Sequence, residues 1–482
     1  MALTHDHLQT DTIAAIATAM SEAGIGIIRI SGADASAIGS KLYRTPKKQR
    51  TDISEWRPGT IRFGYIVETD ADGKETVIDE VMLSWMKSPH SYTTEDTVEI
   101  NTHGGMFLMN RILELVLGSG ARMAEPGEFT KRAFLGGRID LARAEAVMDL
   151  ISSQNEFARK TSAAQLQGAV SEKIRELRGK ILYEIAFIES ALDDPENYSL
   201  DGYPERLMDT CLYLEKEMNG LLSRAEEGRI LREGIRTAIV GRPNVGKSSL
   251  LNFLTGEERA IVTEIEGTTR DTLSETVRVG GVLLHLTDTA GIRDTEDKVE
   301  QIGVHRAQQA LENADLILFL IDSSRELSQE DAQIAERITA RLDEGTNCII
   351  LVNKTDLSSE VTEEQVKALF LSRGRECPTL LFCSLQTGEG IRELTEYVAD
   401  LFHTGEIAEK NEIFLTNLRH KDAVKEARDS IRLVIDSIES GMSEDFFSID
   451  LMNAYRVLGT ILGEAVEDDL VEEIFSRFCL GK

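Results

Sequence analysis

The run Gly241-Arg242-Pro243-Asn244-Val245-Gly246-Lys247-Ser248 fits GxxxxGK[ST], a spacing suited to wrapping a polyphosphate. Glycines let such a loop turn tightly enough for successive backbone N–H groups to converge on phosphate oxygens. Lys247 can then reach the β- and γ-phosphates, and the Ser248 hydroxyl can ligate Mg²⁺. The apolar run Thr237 to Val240 precedes the loop, and a helical pattern from Ser249 to Leu254 follows it, ending near Gly256. A strand before and a helix after is the context a phosphate loop requires, and the helix N-terminus adds its dipole. A chance Gly-rich turn would lack both flanks.

Two further segments make guanine the expected base. Asp288-Thr289-Ala290-Gly291 follows the apolar run Val282 to Leu286. A carboxylate there sits at a strand end near the metal, and the Gly291 N–H can sense the γ-phosphate. Asn353-Lys354-Thr355-Asp356 ends the run Cys348 to Val352. The Asp356 carboxylate can accept from the N1–H and 2-amino group of guanine. Adenine lacks both donors and would leave the carboxylate unpaired, which discriminates strongly. Asn353 and Lys354 would buttress the base and the loop. Between these segments lies Gly267-Thr268-Thr269-Arg270-Asp271, where a threonine hydroxyl can complete the Mg²⁺ shell. Ile292 stands where a Ras-like protein has the Gln that orients the attacking water. An isoleucine cannot do so. Either the chain is a slow switch that needs an outside activator, or another group positions the water. Asp294, Glu296, Asp297 and Glu300 follow, and acids in such a run read mostly as solvated surface charge.

The elements that must hold these residues are legible at low resolution. From 232 to about 400, apolar runs such as Leu316 to Ile321 alternate with helical segments, which predicts a parallel sheet covered by helices. From 140 to 230, Leu, Ile and Ala recur at three- and four-residue spacing (Leu141, Ala144, Val147, Met148, Ile151), the pattern of amphipathic helices. Asp193-Asp194-Pro195 breaks that run. The texture is helical again after about 403, as in Ala423 to Ile438 and Ser448 to Leu462. Residues 1 to about 137 read as mixed α/β. Strand-like runs lie at Thr12–Thr18, Gly26–Ile30, Thr60–Val67, Val77–Met86 and Thr97–Asn101, and a helix is expected from Met106 to Leu117. The expected fold is therefore multidomain, α/β plus all-α, with an α/β unit inserted into a helical domain. The segments are 1–137, 138–231, 232–402 and 403–482.

Composition bounds the rest. A length of 482 residues suits two to four domains at roughly 100–200 residues each. The N-terminus shows neither the basic n-region nor the apolar h-region of a signal peptide, and no apolar run approaches the roughly 18 residues of a membrane span. A cytoplasmic protein with no membrane partner is expected. Cys211, Cys348, Cys377, Cys383 and Cys479 are odd in number and lack CxxC spacing, which argues against a disulfide framework or a zinc site. Three of them sit within or beside apolar runs and read as small buried hydrophobes. The net charge of −30 argues against a general nucleic-acid coat and leaves RNA contact to a local basic patch or to a partner.

The chain resembles the MnmE (TrmE) family of tRNA-modification GTPases along nearly its whole length. The resemblance is carried by Asp11-Thr12-Ile13-Ala14-Ala15-Ile16-Ala17-Thr18, Gly26-Ile27-Ile28-Arg29-Ile30-Ser31-Gly32, Glu95-Asp96 and His103-Gly104-Gly105. It continues in Pro126-Gly127-Glu128-Phe129-Thr130-Lys131-Arg132-Ala133-Phe134-Leu135 and Asp140-Leu141-Ala142-Arg143-Ala144-Glu145-Ala146. Asp288 to Arg293 followed after six residues by Glu300-Gln301-Ile302-Gly303, and the terminal Phe478-Cys479-Leu480-Gly481-Lys482, complete it. Three departures are Ser21 to Gly24, where the family usually has a Pro/Gly-rich stretch, Arg138, where it often has Lys, and Cys383-Ser384-Leu385, where Leu replaces the Ala of Ser-Ala-Lys.

The resemblance implies an N-terminal domain that dimerises and binds a tetrahydrofolate, a helical domain, and an inserted P-loop G domain whose mainly parallel sheet has helices on both faces. It implies GTP contacts from Asn244, Val245, Gly246, Lys247, Ser248, Ser249, Thr263, Thr269, Asp288, Thr289, Ala290, Gly291, Asn353, Lys354, Asp356 and Ser384. Mg²⁺ would take Ser248 and Thr269, and K⁺ would take Asn244, Thr263, Ile265 and Thr268. Glu300 would orient the water, acting with Lys247. A 5,10-methylene- or 5-formyl-tetrahydrofolate would contact Arg29, Glu99, Arg138 and Lys482. The implied partners are a second copy, the FAD-dependent MnmG (GidA) protein in a heterotetramer, and tRNA, whose wobble uridine gains an aminomethyl or carboxymethylaminomethyl group at C5. Cys479 has no His near it in sequence and reads as a structural thiol. The competing readings are a ribosome-assembly GTPase of the Era or EngA type, and a regulatory switch whose output is a bound partner. Against the first stand the single P-loop, the absence of a following GxxG segment and the 230 residues before the loop.

Overall fold

The computed structural model describes residues 11–482 except 154, 195, 258–273, 281, 289–309, 344–345, 372–376, 402–412, 465, 467, 477, 480 and 482. The described residues form two compact units, one from 11–151, 162–218 and 422–482, the other from 152–161 and 219–421. Among them no helix is long and apolar enough to cross a membrane.

The first unit opens with a sheet of strands β1 (Ile13–Ile16), β2 (Ala23–Ser31), β3 (Tyr43–Arg44), β4 (Thr60–Thr69), β5 (Glu75–Met86), β6 (Thr97–Gly104) and β7 (Arg122–Met123). Their order is β3-β4-β5-β6-β2-β1-β7, antiparallel except for β1 with β7. Alternation in the sequence decides the faces. Ile28, Ile30, Leu83, Trp85, Val98 and Ile100 point inward against helices α1 (Ala35–Leu42) and α2 (Met106–Gly118), where Ile38, Met109, Ile112 and Val116 are buried. Their sequence neighbours, Arg29, Ser84 and Glu99 among them, line the opposite face.

Helices α3 (Glu128–Leu135), α4 (Leu141–Ile151), α5 (Glu156–Gln167), α6 (Ala169–Asp193) and α7 (Tyr203–Glu233) follow. On α6 the buried Ile174, Leu177, Ile181, Ile185 and Ile188 repeat at three and four residues, the stripe expected of an amphipathic helix. That helix ends at Asp193, where the Asp-Asp-Pro break is expected.

The second unit carries β8 (Ile235–Val240), α8 (Lys247–Glu257), β9 (Ser274–Val279), β10 (Val282–Asp288), β11 (Leu316–Asp322), α9 (Gln329–Leu342), β12 (Asn347–Asn353), α10 (Glu363–Leu371), β13 (Thr379–Phe382) and α11 (Ile391–Leu401). The sheet order is β13-β12-β11-β8-β10-β9, with only β9 and β10 antiparallel. β11 is buried at every residue, as strands covered on both faces must be. Leu316, Leu318, Leu320, Ile349 and Leu351 face one core, and Ile317, Phe319, Ile321, Ile350 and Val352 the other.

The chain then returns to the first unit through α12 (Leu418–Glu439), α13 (Glu444–Leu462) and α14 (Asp468–Ser476). Arg178 of α6 locks against α13: it donates to the Tyr455 carbonyl at 3.1 Å and to Glu464 at 2.7 Å, and its guanidinium lies 4.1 Å from the centre of the Tyr455 ring. The architecture is α/β plus helical in more than one compact unit, as the sequence pattern predicts.

Candidate functional site

In the second unit the chemistry-bearing residues collect at the carboxyl ends of the parallel strands. β8 is flanked by β10 on one side and β11 on the other, so the chain reverses its direction of sheet-building there. The crevice beyond such a point is where an open α/β sheet takes its ligand. The loop from Gly241 to Gly246 leaves β8 at this crevice, and Lys247 opens α8. Lys247 Nζ donates to the carbonyls of Gly241 at 2.6 Å and Arg242 at 2.8 Å, which closes the loop on itself. Asn244 holds φ at +65°, a conformation uncommon outside glycine. Ser248 and Ser249 are exposed on the first turn of α8. Val245 is buried against Leu250 and Ile239, which anchors the loop to the core.

The next strand ends brace this loop. Asn353, the last residue of β12, is buried. Its Nδ2 donates to the Val245 carbonyl at 2.8 Å, and its Oδ1 accepts from the Leu385 N–H at 3.2 Å. Gly246 has φ +110°, and a Cβ there would overlap Asn353 Nδ2. Lys354, itself at φ +69°, donates to the Asn244 carbonyl at 3.0 Å and to Asp322 at 2.6 Å. Asp356 accepts from the Ser384 hydroxyl at 2.7 Å, and Ser384 Oγ in turn accepts from the Thr387 N–H at 3.3 Å. The Leu385 departure from the family pattern is therefore harmless to the brace, because the backbone N–H makes the contact.

Two supporting residues carry no motif of their own. Asp322 ends β11 and is buried. Burial works to raise its pKa, but hydrogen bonds from Lys354 and Ser324 outweigh it, and the carboxyl sits below its ordinary value. Its one sequence signal is its place at the end of an apolar run, equivalent to that of Asn353. Arg242 pairs at 3.0 Å with the fully buried Asp331, which forms a capping box with Ser328 at the start of α9.

Of the other residues expected at the two sites, Thr263, Ile265, Thr268, Thr269, Thr289, Ala290, Gly291, Ile292, Glu300 and Lys482 lie outside the described residues, as does the side chain of Asp288. β10 brings the Asp288 backbone to the same sheet edge, paired with Ile239.

A second site forms in the first unit on the open face of the N-terminal sheet. Arg29 and Glu99 lie directly opposite on β2 and β6 and form a 2.8 Å ion pair. The Arg29 guanidinium lies 5.3 Å from the Tyr92 ring centre and 5.5 Å from that of Phe129. Arg138 lies over Tyr92 at 4.8 Å and donates to the Tyr92 carbonyl at 3.1 Å. Arg29 also reaches the Gly481 carbonyl at 3.4 Å, so the C-terminal residues come to the same place. Across from Glu99 on β5, the Ser84 hydroxyl is buried without a hydrogen-bond partner among the described residues. Two cations, a carboxylate, an aromatic floor and an orphaned hydroxyl suit a flat heterocycle with donor edges and an anionic tail. The fold thus brings Arg29, Glu99 and Arg138 together. Tyr92 and Phe129 join them with no spacing signal to announce it.

Among the described residues the cysteines are all free. Burial pushes the Cys211 thiol up to about 12, Glu184 adding to the effect, and the Cys383 thiol up to about 11. Neither is a nucleophile at neutral pH. Cys479 is exposed.

Two family models match the chain: one described as the GTP-binding protein TrmE N-terminus over residues 12–138, the other as the MnmE helical domain over 141–479. Proteins called tRNA modification GTPase MnmE are similar along their whole length. That of Lachnoclostridium phytofermentans is 50% identical over 475 residues, 98% of this chain and 100% of the relative. That of Bacillus subtilis is 45% identical over 473 residues, with 98% and 100% covered. That of Geobacillus kaustophilus is 46% identical over 473 residues, with 98% and 99% covered.

Proposed function

The chain belongs to the MnmE family of tRNA-modification GTPases and is a GTP hydrolase, and from that premise we propose that its GTP turnover serves modification of the tRNA wobble uridine. The reaction adds an aminomethyl or carboxymethylaminomethyl group at C5, in a complex with an FAD-dependent MnmG-type partner. The one-carbon unit comes from methylene-tetrahydrofolate. The chain works as a homodimer in the cytoplasm. Residues 1–137 form the folate-binding and dimerisation domain, 138–231 with 403–482 the helical domain, and 232–402 the inserted G domain.

The observation that carries this reading beyond GTP hydrolysis is the Arg29–Glu99 pair beside Tyr92. A switch that only bound and released a partner would have no use for this second cluster of ligand-binding chemistry. Glu99 accepts from the amino and N–H donors of a pterin, Tyr92 flanks it over the buried Phe129, and Arg29, Arg138 and Lys482 attract the carboxylates of the glutamate tail.

At the nucleotide site, Asp356 reads the guanine edge while Ser384 holds its carboxylate in place. Asn353 and Lys354 keep the phosphate loop against the base loop. Lys247 exchanges its loop carbonyls for phosphate oxygens. The hard oxygen donors Ser248 and Thr269 suit Mg²⁺, and Asn244, Thr263, Ile265 and Thr268 suit K⁺. When bound, these cations supply positive charge beside the phosphates. Glu300 orients the attacking water in place of the residue missing at Ile292.

The test is mass spectrometry of nucleosides from total tRNA in cells with and without the gene. Loss of C5-aminomethyl-type uridines, restored by the wild type and not by Lys247→Ala, supports the proposal. An unchanged profile moves the ribosome-assembly reading to first place.

A further inference from the structure

A chain of net charge −30 holds, near its N-terminus, a segment with the opposite balance. From residue 41 to 62 the basic residues are Lys41, Arg44, Lys47, Lys48, Arg50, Arg57 and Arg62, and the acids are Asp52 and Glu55. The structure separates the outward-facing cations from the rest. Arg44 is buried and paired with Glu75 at 2.5 Å, and Lys41 donates to the Ser119 carbonyl at 2.9 Å. Lys47, Lys48 and Arg57 are exposed, and no carboxylate among the described residues lies within ion-pair distance of them. Arg50 is 71% exposed although Glu75 steadies it at 2.9 Å.

The segment is built to present these charges in fixed places. β3 is the edge strand of its sheet, and its antiparallel register (Tyr43↔Ile66, Arg44↔Tyr65) carries the chain toward the end of β4 that holds Arg62. There it makes a tight turn. The Thr45 N–H donates to the Gln49 carbonyl at 2.9 Å, the Lys48 N–H to the Thr45 carbonyl at 2.7 Å, and the Gln49 N–H to Thr45 Oγ1 at 3.1 Å. Lys48 sits at φ +57°, a strained conformation that the three bonds hold. Arg62 is exposed and stacks its guanidinium 4.4 Å from the centre of the Trp56 ring, which is itself edge-on to Tyr43 at 5.2 Å. The acids Asp70 and Asp72 lie past the opposite end of β4, where Glu75 pairs with Thr69 and takes Arg50, and Asp52 and Glu55 are exposed within the segment itself.

We propose that the turn from Thr45 to Arg50, with Arg57 and Arg62, is a docking surface for the phosphate backbone of RNA, here the tRNA substrate. The inference rests on the tRNA reading of the function and adds which surface of this chain meets it. Preset lysines attract phosphates without sequence information. A guanidinium held over a tryptophan ring offers a base or a ribose-phosphate edge a platform that a free arginine does not. Because the rest of the chain carries a strong negative excess, repulsion elsewhere orients the polyanion onto this strip.

The experiment uses the full chain and tRNA purified from cells lacking the gene, with binding followed by fluorescence anisotropy from 50 to 200 mM KCl. Lys47→Ala/Lys48→Ala/Arg57→Ala is expected to weaken binding about ten-fold or more at the low-salt end and to flatten the salt slope by about one for each phosphate left unneutralised. Arg62→Lys, which keeps the charge, is expected to lose affinity with the slope little changed. GTP hydrolysis stays at the wild-type rate, which shows that the variants fold. Unchanged tRNA affinity and slope in the triple variant overturn the proposal, as does a wild-type chain that binds no tRNA at 50 mM KCl. Weakened binding to the flavoprotein partner with tRNA affinity intact also overturns it, in favour of an acidic protein surface. If the gene's loss leaves tRNA nucleosides unaltered, the tRNA reading itself fails, and that result is distinct from all of these.

Discussion

The Asn353 carboxamide donates to the Val245 carbonyl at 2.8 Å, tying the end of one strand to a phosphate loop more than a hundred residues earlier. Both groups are buried, so the bond cannot be replaced by water. Asn353→Ala leaves the Val245 carbonyl and the Leu385 N–H without partners, at about 1–3 kcal/mol for a buried orphan. GTP affinity should fall about 10- to 100-fold. Titration with a fluorescent guanine nucleotide checks this, and affinity within two-fold of wild type would mean the loop holds without the brace.

Asp356 is aligned by Ser384, and in the proposed nucleotide site its carboxylate distinguishes guanine from adenine. Asp356→Asn presents a donor where guanine needs an acceptor. GTP affinity is expected to drop by about 100-fold or more, with xanthosine triphosphate gaining, because xanthine carries a carbonyl where guanine has its amino group. Competition between the two nucleotides reads the switch directly. A variant that still prefers GTP would place base recognition elsewhere.

With Ile292 unable to orient water, hydrolysis should depend on the K⁺ set and on Glu300. The wild type is expected to turn over GTP much faster in KCl than in NaCl, and Glu300→Ala to lose that stimulation while still binding GTP. Equal rates in the two salts would remove K⁺ from the mechanism.

Gly481 has φ +88°, and a Cβ there would overlap the Ile16 carbonyl, while its own carbonyl accepts from Arg29. Gly481→Ala should displace the C-terminal residues from the Arg29–Glu99 site. Calorimetry is expected to show 5-formyl-tetrahydrofolate affinity reduced about ten-fold or more, as for Glu99→Gln, with GTP hydrolysis unchanged. Unaltered folate affinity in both variants would refute the site.

Glu75 accepts from Arg44 first and Arg50 second, and these bonds hold its carboxyl down at about 2 from an ordinary 4.5. The folded-state value is the lower one. Its contribution is therefore fully present above about pH 4.5 and is lost as the pH falls toward 2. Thermal midpoints between pH 5 and 2.5 should fall less steeply for Glu75→Gln than for wild type. Parallel curves would show that the pairing adds nothing to folding.

The phosphate loop, the helix behind it and the strand before it are readable from the sequence because they are contiguous: spacing and backbone freedom within a dozen residues determine them. The middle of the second unit's sheet is readable for a related reason, since β11 and β12 are buried on both faces and announce themselves as apolar runs. The open face of the N-terminal sheet is harder to read. Arg29 and Glu99 each look like ordinary surface charges until β2 and β6 pair in one register, and a shift of one residue would turn them to opposite faces.

Motif order and hydrophobic period in the sequence point to a guanine-type nucleotide loop with helical segments around it, and the resemblance of its motifs points to the family. Tertiary structure alone decides that Asp322 holds Lys354, that Tyr92 and Phe129 flank Arg29, and that Lys47, Lys48 and Arg57 have no carboxylate among the described residues within ion-pair distance while Arg44 does. The physical reason is range. Local backbone geometry and hydrophobic period act over a few residues and leave a mark in the sequence, whereas the pairing of buried charges and the exposure of cations depend on which distant strands the core brings side by side.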